Sequence, residues 1–101
     1  MATPKKRSRR QEQISDTVAV LMRRCGDTHT SLAASLAQDR TNVSAKVHGR
    51  RSWTVEDLDG IADHFGITLL ELLSGIQVAV DSLPRQRLVG EQGRQTTAPA
   101  A

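Results

Sequence analysis

Between residues 12 and 75 apolar positions recur at helical spacing and are punctuated by capping and stop residues. Ile14, Val18, Leu21, Met22 and Cys25 fall on one helical face, with Gly26 as a C-terminal stop. Thr28 is an expected N-cap for a second helix that turns Leu32, Ala33 and Leu36 inward. A third helix is expected to start after Asp39, read as another good N-cap, to present Val43 and Val47 one turn apart, and to end at Gly49. Thr54 with Asp57 three residues on is a capping-box pattern for a fourth helix, whose apolar face is Val55, Leu58, Ile61, Ala62 and Phe65 up to Gly66. Thr68 and Glu71 open a fifth, carrying Leu69, Leu70, Leu72 and Leu73 to Gly75. Start signals, stop signals and periodicity agree in each segment, so the pattern predicts an all-α domain.

The flanks differ. Residues 1–11 are basic and without apolar period, which predicts a flexible arm. Residues 76–101 turn polar, with Pro84, Gly90, Gly93 and Pro99, and read as a tail, partly disordered or used for association. Within it Ile76-Gln77-Val78-Ala79-Val80 alternates apolar and polar residues, extended by Leu83, Leu88 and Val89. That stretch could add a strand or short helix to another chain, form a homodimer, or fold back on its own domain.

Composition narrows the class. In 101 residues Trp53 and Phe65 are the only aromatics, which suits an aliphatic helical core better than a sandwich or barrel. Trp53 is expected to be a lid over that core rather than a base-stacking side chain. The single cysteine, Cys25, leaves no intramolecular disulfide or multi-cysteine zinc site, points to a reducing cytoplasmic setting, and reads as a small buried hydrophobe. No apolar run suggests a membrane span. The net charge of +3 conceals a polarity: residues 1–51 carry 11 Lys/Arg against four acids, net +7, and residues 52–101 carry three Arg against seven acids, net −4. A basic front half suggests a polyanionic partner, nucleic acid before anionic membrane.

The second and third predicted helices are joined by Ala37-Gln38-Asp39, a helix-turn-helix arrangement. The run Leu32-Ala33-Ala34-Ser35-Leu36-Ala37-Gln38-Asp39-Arg40-Thr41-Asn42-Val43-Ser44, with Val47 and Gly49, resembles the phage repressor/Cro-type helix-turn-helix family (XRE-like). Residues 49–58 and 61–67 resemble that family's fourth helix and its exit, and Leu69 to Leu73 its fifth. The resemblance spans about residues 12–75 and lies in the ordered pattern rather than in one motif. It implies a compact five-helix, lambda-repressor-like DNA-binding domain whose third helix enters the major groove. Two turn positions depart from the family pattern: Gly is common where Ala37 stands, and an apolar residue where Gln38 stands. Ala disfavours a left-handed backbone, so a differently built turn is expected. Lys46 also fills a place often apolar; with Val47 supplying the core contact, Lys46 is expected to point outward toward DNA.

With Val43 and Val47 inward, Thr41, Ser44, Ala45 and His48 lie opposite, and Arg40 and Asn42 project from the first turn. Asn pairs bidentately with adenine, Arg with guanine, and a small Ala permits close approach or touches a thymine methyl. Arg40, Thr41, Asn42, Ala45 and Lys46 are therefore the expected base-contacting residues. Ser44 and His48, the helix start at Thr28, His29 and Thr30, the loop Arg50 and Arg51, and the arm residues Lys5, Lys6, Arg7, Arg9 and Arg10 are expected to meet the DNA backbone. The histidines show no metal-ligand spacing, and no nucleophile–base arrangement or phosphate-cradling loop stands out. No enzyme activity, cofactor, metal or small-molecule effector is expected. The leading expectation is a sequence-specific double-stranded DNA-binding repressor of phage-immunity or Cro type. The other is an antitoxin or regulatory interaction module working through residues 76–89.

Overall fold

A computed structural model describes residues 8–88, and its local caps explain where each helix starts. Ser8 accepts a hydrogen bond from the backbone N–H of Gln11 and opens α1, Arg9–Cys25. The helix thus begins earlier than the sequence pattern suggests: Arg9, Arg10 and Gln11 belong to its first turn, not to an arm. The rest of the expected arm, including Lys5, Lys6 and Arg7, lies outside the described residues. Gly26 closes α1 in the left-handed conformation, φ 67°. Thr28 and Ser31 form a reciprocal capping box at the start of α2, His29–Leu36. After α3, Arg40–Val47, a loop leads to Thr54, whose capping box with Asp57 starts α4, Val55–Phe65. Thr68 and Glu71 cap α5, Leu69–Leu73, in the same way.

A sixth helix follows. α6 runs Ile76–Ser82 and leads through Pro84 into a 3-10 turn at Arg85–Arg87. It packs on α1 and α5, burying Ala79 and Leu83, so the described part of the expected tail folds back on its own domain. Ile76, Ala79, Val80 and Leu83 lie at helical spacing, which the shorter alternating stretch concealed. The described residues contain helices and no strand.

The core lies where α1, α2, α4, α5 and α6 meet, with Val18, Leu21, Leu32, Ile61, Phe65, Leu72 and Ala79 almost wholly buried. Trp53 is buried as the expected lid. Close approach of α2 to α4 uses Gly60, where a Cβ would stand 2.5 Å from Leu36 Cδ2. Three expectations fail at the edges of the apolar pattern. Val55 and Leu70 are 68% and 75% exposed, because each occupies the first or second position of its helix, outside the packed turns. Cys25, in the last turn of α1, is half-buried rather than a core hydrophobe.

A polar clasp closes the far end of the domain. His64 Nε2 lies 3.1 Å from Asp27 Oδ2, and its Nδ1 2.6 Å from Ser35 Oγ. Arg87 donates to the carbonyl of His64 at 2.8 Å and approaches Asp27 at 3.8 Å. Ser35, His64 and Asp27 thus stand in the order of a hydrolytic triad. Ser35 sits inside α2, where the neighbouring backbone N–H groups serve the helix and offer no oxyanion donors. Their visible work is to tie the α1–α2 turn, the end of α4 and the C-terminal turn together.

Candidate nucleic-acid interface

The turn between α2 and α3 is built on a strained alanine. Ala37 adopts φ 56° and ψ 44°, the only positive φ among the described non-glycine residues. Its N–H donates to Ala34 O, and the N–H of Gln38 to Ala33 O, which satisfies carbonyls at the end of α2. The turn therefore keeps the left-handed corner that glycine would favour, contrary to the expectation of a different construction. Holding an alanine there costs about 1–2 kcal/mol. Asp39 occupies the N-cap position of α3, but its side chain makes no capping hydrogen bond; only its carbonyl receives the N–H groups of Asn42 and Val43.

Lys46 does not point outward, contrary to expectation. It is 6% exposed, and its Nζ sits 2.6 Å from Asp57 Oδ2 and 3.2 Å from Gln38 Oε1. The reason is geometric. Positions three and four residues after Val43 flank it on either side of the inward face, so Lys46 and Val47 both turn toward the domain. Asp57, itself 3% exposed, receives the ammonium. It also accepts from Gln38 Nε2 at 2.5 Å and from the backbone N–H of Thr54 at 2.8 Å. Burial raises the Asp57 carboxyl, but the hydrogen bonds from Lys46, Thr54 and Gln38 outweigh it and hold the group below its ordinary value. Gln38 and Lys46, the two polar residues at positions expected to be apolar, thus satisfy each other over one shared carboxylate.

The network continues to the surface. Asn42 Nδ2 donates to Gln38 Oε1 at 2.7 Å, and Arg51 Nη1 donates to Asn42 Oδ1 at 3.1 Å. Gln38, Asp39, Thr41, Asn42, Ala45 and Arg51 line an open groove of ≈ 420 Å³. Asp39 is its one carboxylate. Arg40, Thr41, His48, Arg50 and Arg51 are exposed, while Asn42, Ser44 and Ala45 are half-buried. Of the expected base-reading set, Thr41, Asn42 and Ala45 line this groove, whereas Arg40 is exposed near His29, away from them, and Lys46 is buried.

The loop after α3 is pinned at both ends. The N–H groups of Arg50 and Arg51 both donate to the carbonyl of Ala45, at 2.7 and 3.3 Å. At the other end the Gln11 amide takes both backbone groups of Trp53: Oε1 accepts its N–H at 2.7 Å and Nε2 donates to its carbonyl at 3.1 Å. This brings the start of α1, with exposed Arg9 and Arg10, to the loop that carries Arg50 and Arg51. Ser15 adds a buried joint: its Oγ donates to the Lys46 carbonyl and accepts the Trp53 indole N–H.

At the start of α2, Thr28 and Thr30 are exposed and His29 is half-buried. The hydroxyl and N–H of Thr28 are engaged in its capping box. The His29 and His48 rings meet edge to face, 5.6 Å between centroids. Burial, the neighbouring His48 and Arg40 together lower the His29 pKa from 6.5. His48 Nδ1 lies 2.9 Å from the Ser44 carbonyl, so both of these expected backbone-contacting residues are already in mutual contact.

Sequence reasoning missed Gln38, Asp57, Gln11 and Ser15 as the residues that set this face. The usable signal was the coincidence of two polar residues, Gln38 and Lys46, at two apolar-type positions. Among the described residues no three metal-ligating side chains cluster, and no helix is long and apolar enough to cross a membrane. Comparison with known proteins finds no matching family model, no matching curated protein and no matching solved structure.

Proposed function

We propose that this chain is a sequence-specific double-stranded DNA-binding repressor of the helix-turn-helix type, acting in the cytoplasm, with α3 read into the major groove. The observation that carries the reading is the composition of one surface. Thr41, Asn42 and Ala45 line one open groove on α3, Arg40 is exposed at the start of the same helix, and a pinned loop sets Arg50 and Arg51 beside it. Small and amide side chains suit the groove floor, and basic side chains at its margin, such as Arg50, suit the phosphates. The start of α1 adds Arg9 and Arg10 next to that loop. Such a protein would occupy its operator and exclude the polymerase.

The interaction-module reading rests on residues 76–89. Of these, Ala79 and Leu83 are buried within the domain and Ile76 and Val78 stay exposed, while Val89 lies outside the described residues.

The test is selection of bound sites by the full chain from a pool of random duplexes. A consensus is expected, and its symmetry would report whether a homodimer binds paired half-sites. On that consensus Arg40→Ala should cost about 1–3 kcal/mol and relax one position. Neutralising Lys5, Lys6, Arg7, Arg9 and Arg10 should weaken all duplexes alike and flatten the salt dependence. A pool returned without any enriched sequence overturns the proposal.

A further inference from the structure

We propose that Arg51 reads a base edge rather than gripping a phosphate, and that it does so as a pair with Asn42, the two recognising neighbouring base pairs. This rests on the DNA-reading function above and deepens it. Sequence position alone groups Arg51 with Arg50 as a phosphate contact, but their geometry separates them. The loop winds back over the end of α3 because the N–H groups of both residues bond to the Ala45 carbonyl. From there the Arg51 guanidinium runs toward the first turn of α3, where its Nη1 donates to Asn42 Oδ1 at 3.1 Å. It lines the same groove as Thr41, Asn42 and Ala45, the residues expected at the groove floor. Arg50 is exposed and, among the described residues, has no such side-chain tether.

A guanidinium can fork onto a phosphate as well as onto a base edge, so what matters is where the tether holds the fork. The bond to Asn42 keeps it in the groove lined by Thr41, Asn42 and Ala45, over the expected groove floor. After the bond to Asn42 the Arg51 guanidinium keeps further N–H groups, enough to donate a bidentate pair to guanine O6 and N7. Asn42 is held equally. One amide N–H is committed to Gln38 and one lone pair of its oxygen to Arg51. The remaining N–H and lone pair are what adenine N7 and N6 require. The chain Asp57–Gln38–Asn42–Arg51 therefore orients two planar groups from beneath, and their contact places the bases they read side by side.

The experiment repeats site selection from random duplex DNA with the full chain and three variants: Arg51→Lys, Arg50→Lys and Asn42→Ala. Lysine keeps the charge in both arginine variants but removes the planar fork. Arg51→Lys is expected to lose a guanine preference, a roughly 10- to 100-fold loss of discrimination at one base pair. Asn42→Ala should lose an adenine preference at the adjoining pair, and Arg50→Lys should leave the consensus as it is. If the wild-type chain selects a consensus and Arg51→Lys selects the same one with the same stringency, Arg51 is a phosphate contact and this inference fails while the function stands. If the positions lost by Arg51→Lys and Asn42→Ala are separated by other base pairs, the pairing is wrong. If the wild-type chain selects no sequence, both the function and the inference fall. Arg51 is exposed, so an unchanged thermal unfolding curve for Arg51→Lys checks that only recognition has altered.

Discussion

Helices α3 and α4 are fastened to the molecule by different means. From α4, Ile61, Ala62 and Phe65 enter the aliphatic core, and apolar burial holds the helix. α3 buries one aliphatic side chain completely, Val43, and a second, Val47, in part; it also holds on through Lys46, the Ser15 bond to its last turn, and the amide chain from Gln38. Apolar burial is non-directional and tolerates small rotations of a helix. A charged pair with short hydrogen bonds fixes an angle, because a misplaced buried charge is costly. The helix that would lie in a groove is the one whose orientation is set by directional bonds.

The largest test of this contrast is a pair of truncations. Phe65→Ala and Asp57→Ala should each destabilise the domain by about 3–5 kcal/mol in urea unfolding, one through a cavity and the other through an orphaned buried lysine. Their pH dependence should separate them. The Asp57 carboxyl is held below its ordinary value of 3.8, so its stabilisation is complete above that value and is lost as pH falls through the folded-state pKa. In acid the stability of Asp57→Ala should therefore converge on that of the wild type, whereas the Phe65→Ala deficit should persist at every pH at which both fold. Replacing both partners, Lys46→Met with Asp57→Leu, should recover most of the loss yet alter the DNA consensus, since the angle of α3 is then set by packing alone.

Gln38→Leu comes next. It puts an apolar residue in the turn but removes partners of Lys46, Asp57 and Asn42, and about 1–3 kcal/mol should be lost. A gain at this position would show that the amide network contributes little to stability. Ala37→Gly should work in the opposite direction, raising stability by about 1 kcal/mol by relieving the left-handed alanine. The smallest effect concerns His29. Its lowered pKa means the unfolded chain takes up the proton first, so stability should decline slightly as pH drops from 6.5 through the folded-state value. A His29→Gln variant should not show that decline.

The contrast between α3 and α4 also marks what could be read from the chain. Thr28, Thr54 and Thr68 announce their helices because a hydroxyl three residues before a free N–H has one obvious use, and all three make capping boxes. Phe65 and Ile61 announce their burial because nothing else in α4 would satisfy them. Lys46 is not legible in this way: Val43 leaves both the third and fourth following residues on its flanks, and what lets a lysine fill one of them is Asp57, 11 residues away, whose visible role in the sequence is to cap α4. Asp39 misleads in the other direction: it has the right identity for a cap and occupies the position, yet its carboxylate makes no capping bond. Ile76 to Val80 fit a strand period as well as a helical one, and only Leu83, beyond the stretch, decides between them.

The return of α6 fixes how small a piece of this chain can be moved elsewhere. Ala79 and Leu83 lie against the core, Pro84 sits 3.0 Å from the point where a Cβ on Gly66 would stand, and Arg87 reaches the carbonyl of His64. A cut at Gly75, where the helix-turn-helix pattern ends, would strip cover from α1 and remove Arg87 from the clasp at the end of α4. A transplantable module, for fusion to another protein or for grafting a new reading helix, therefore has to extend past Gly75 at least through Arg87.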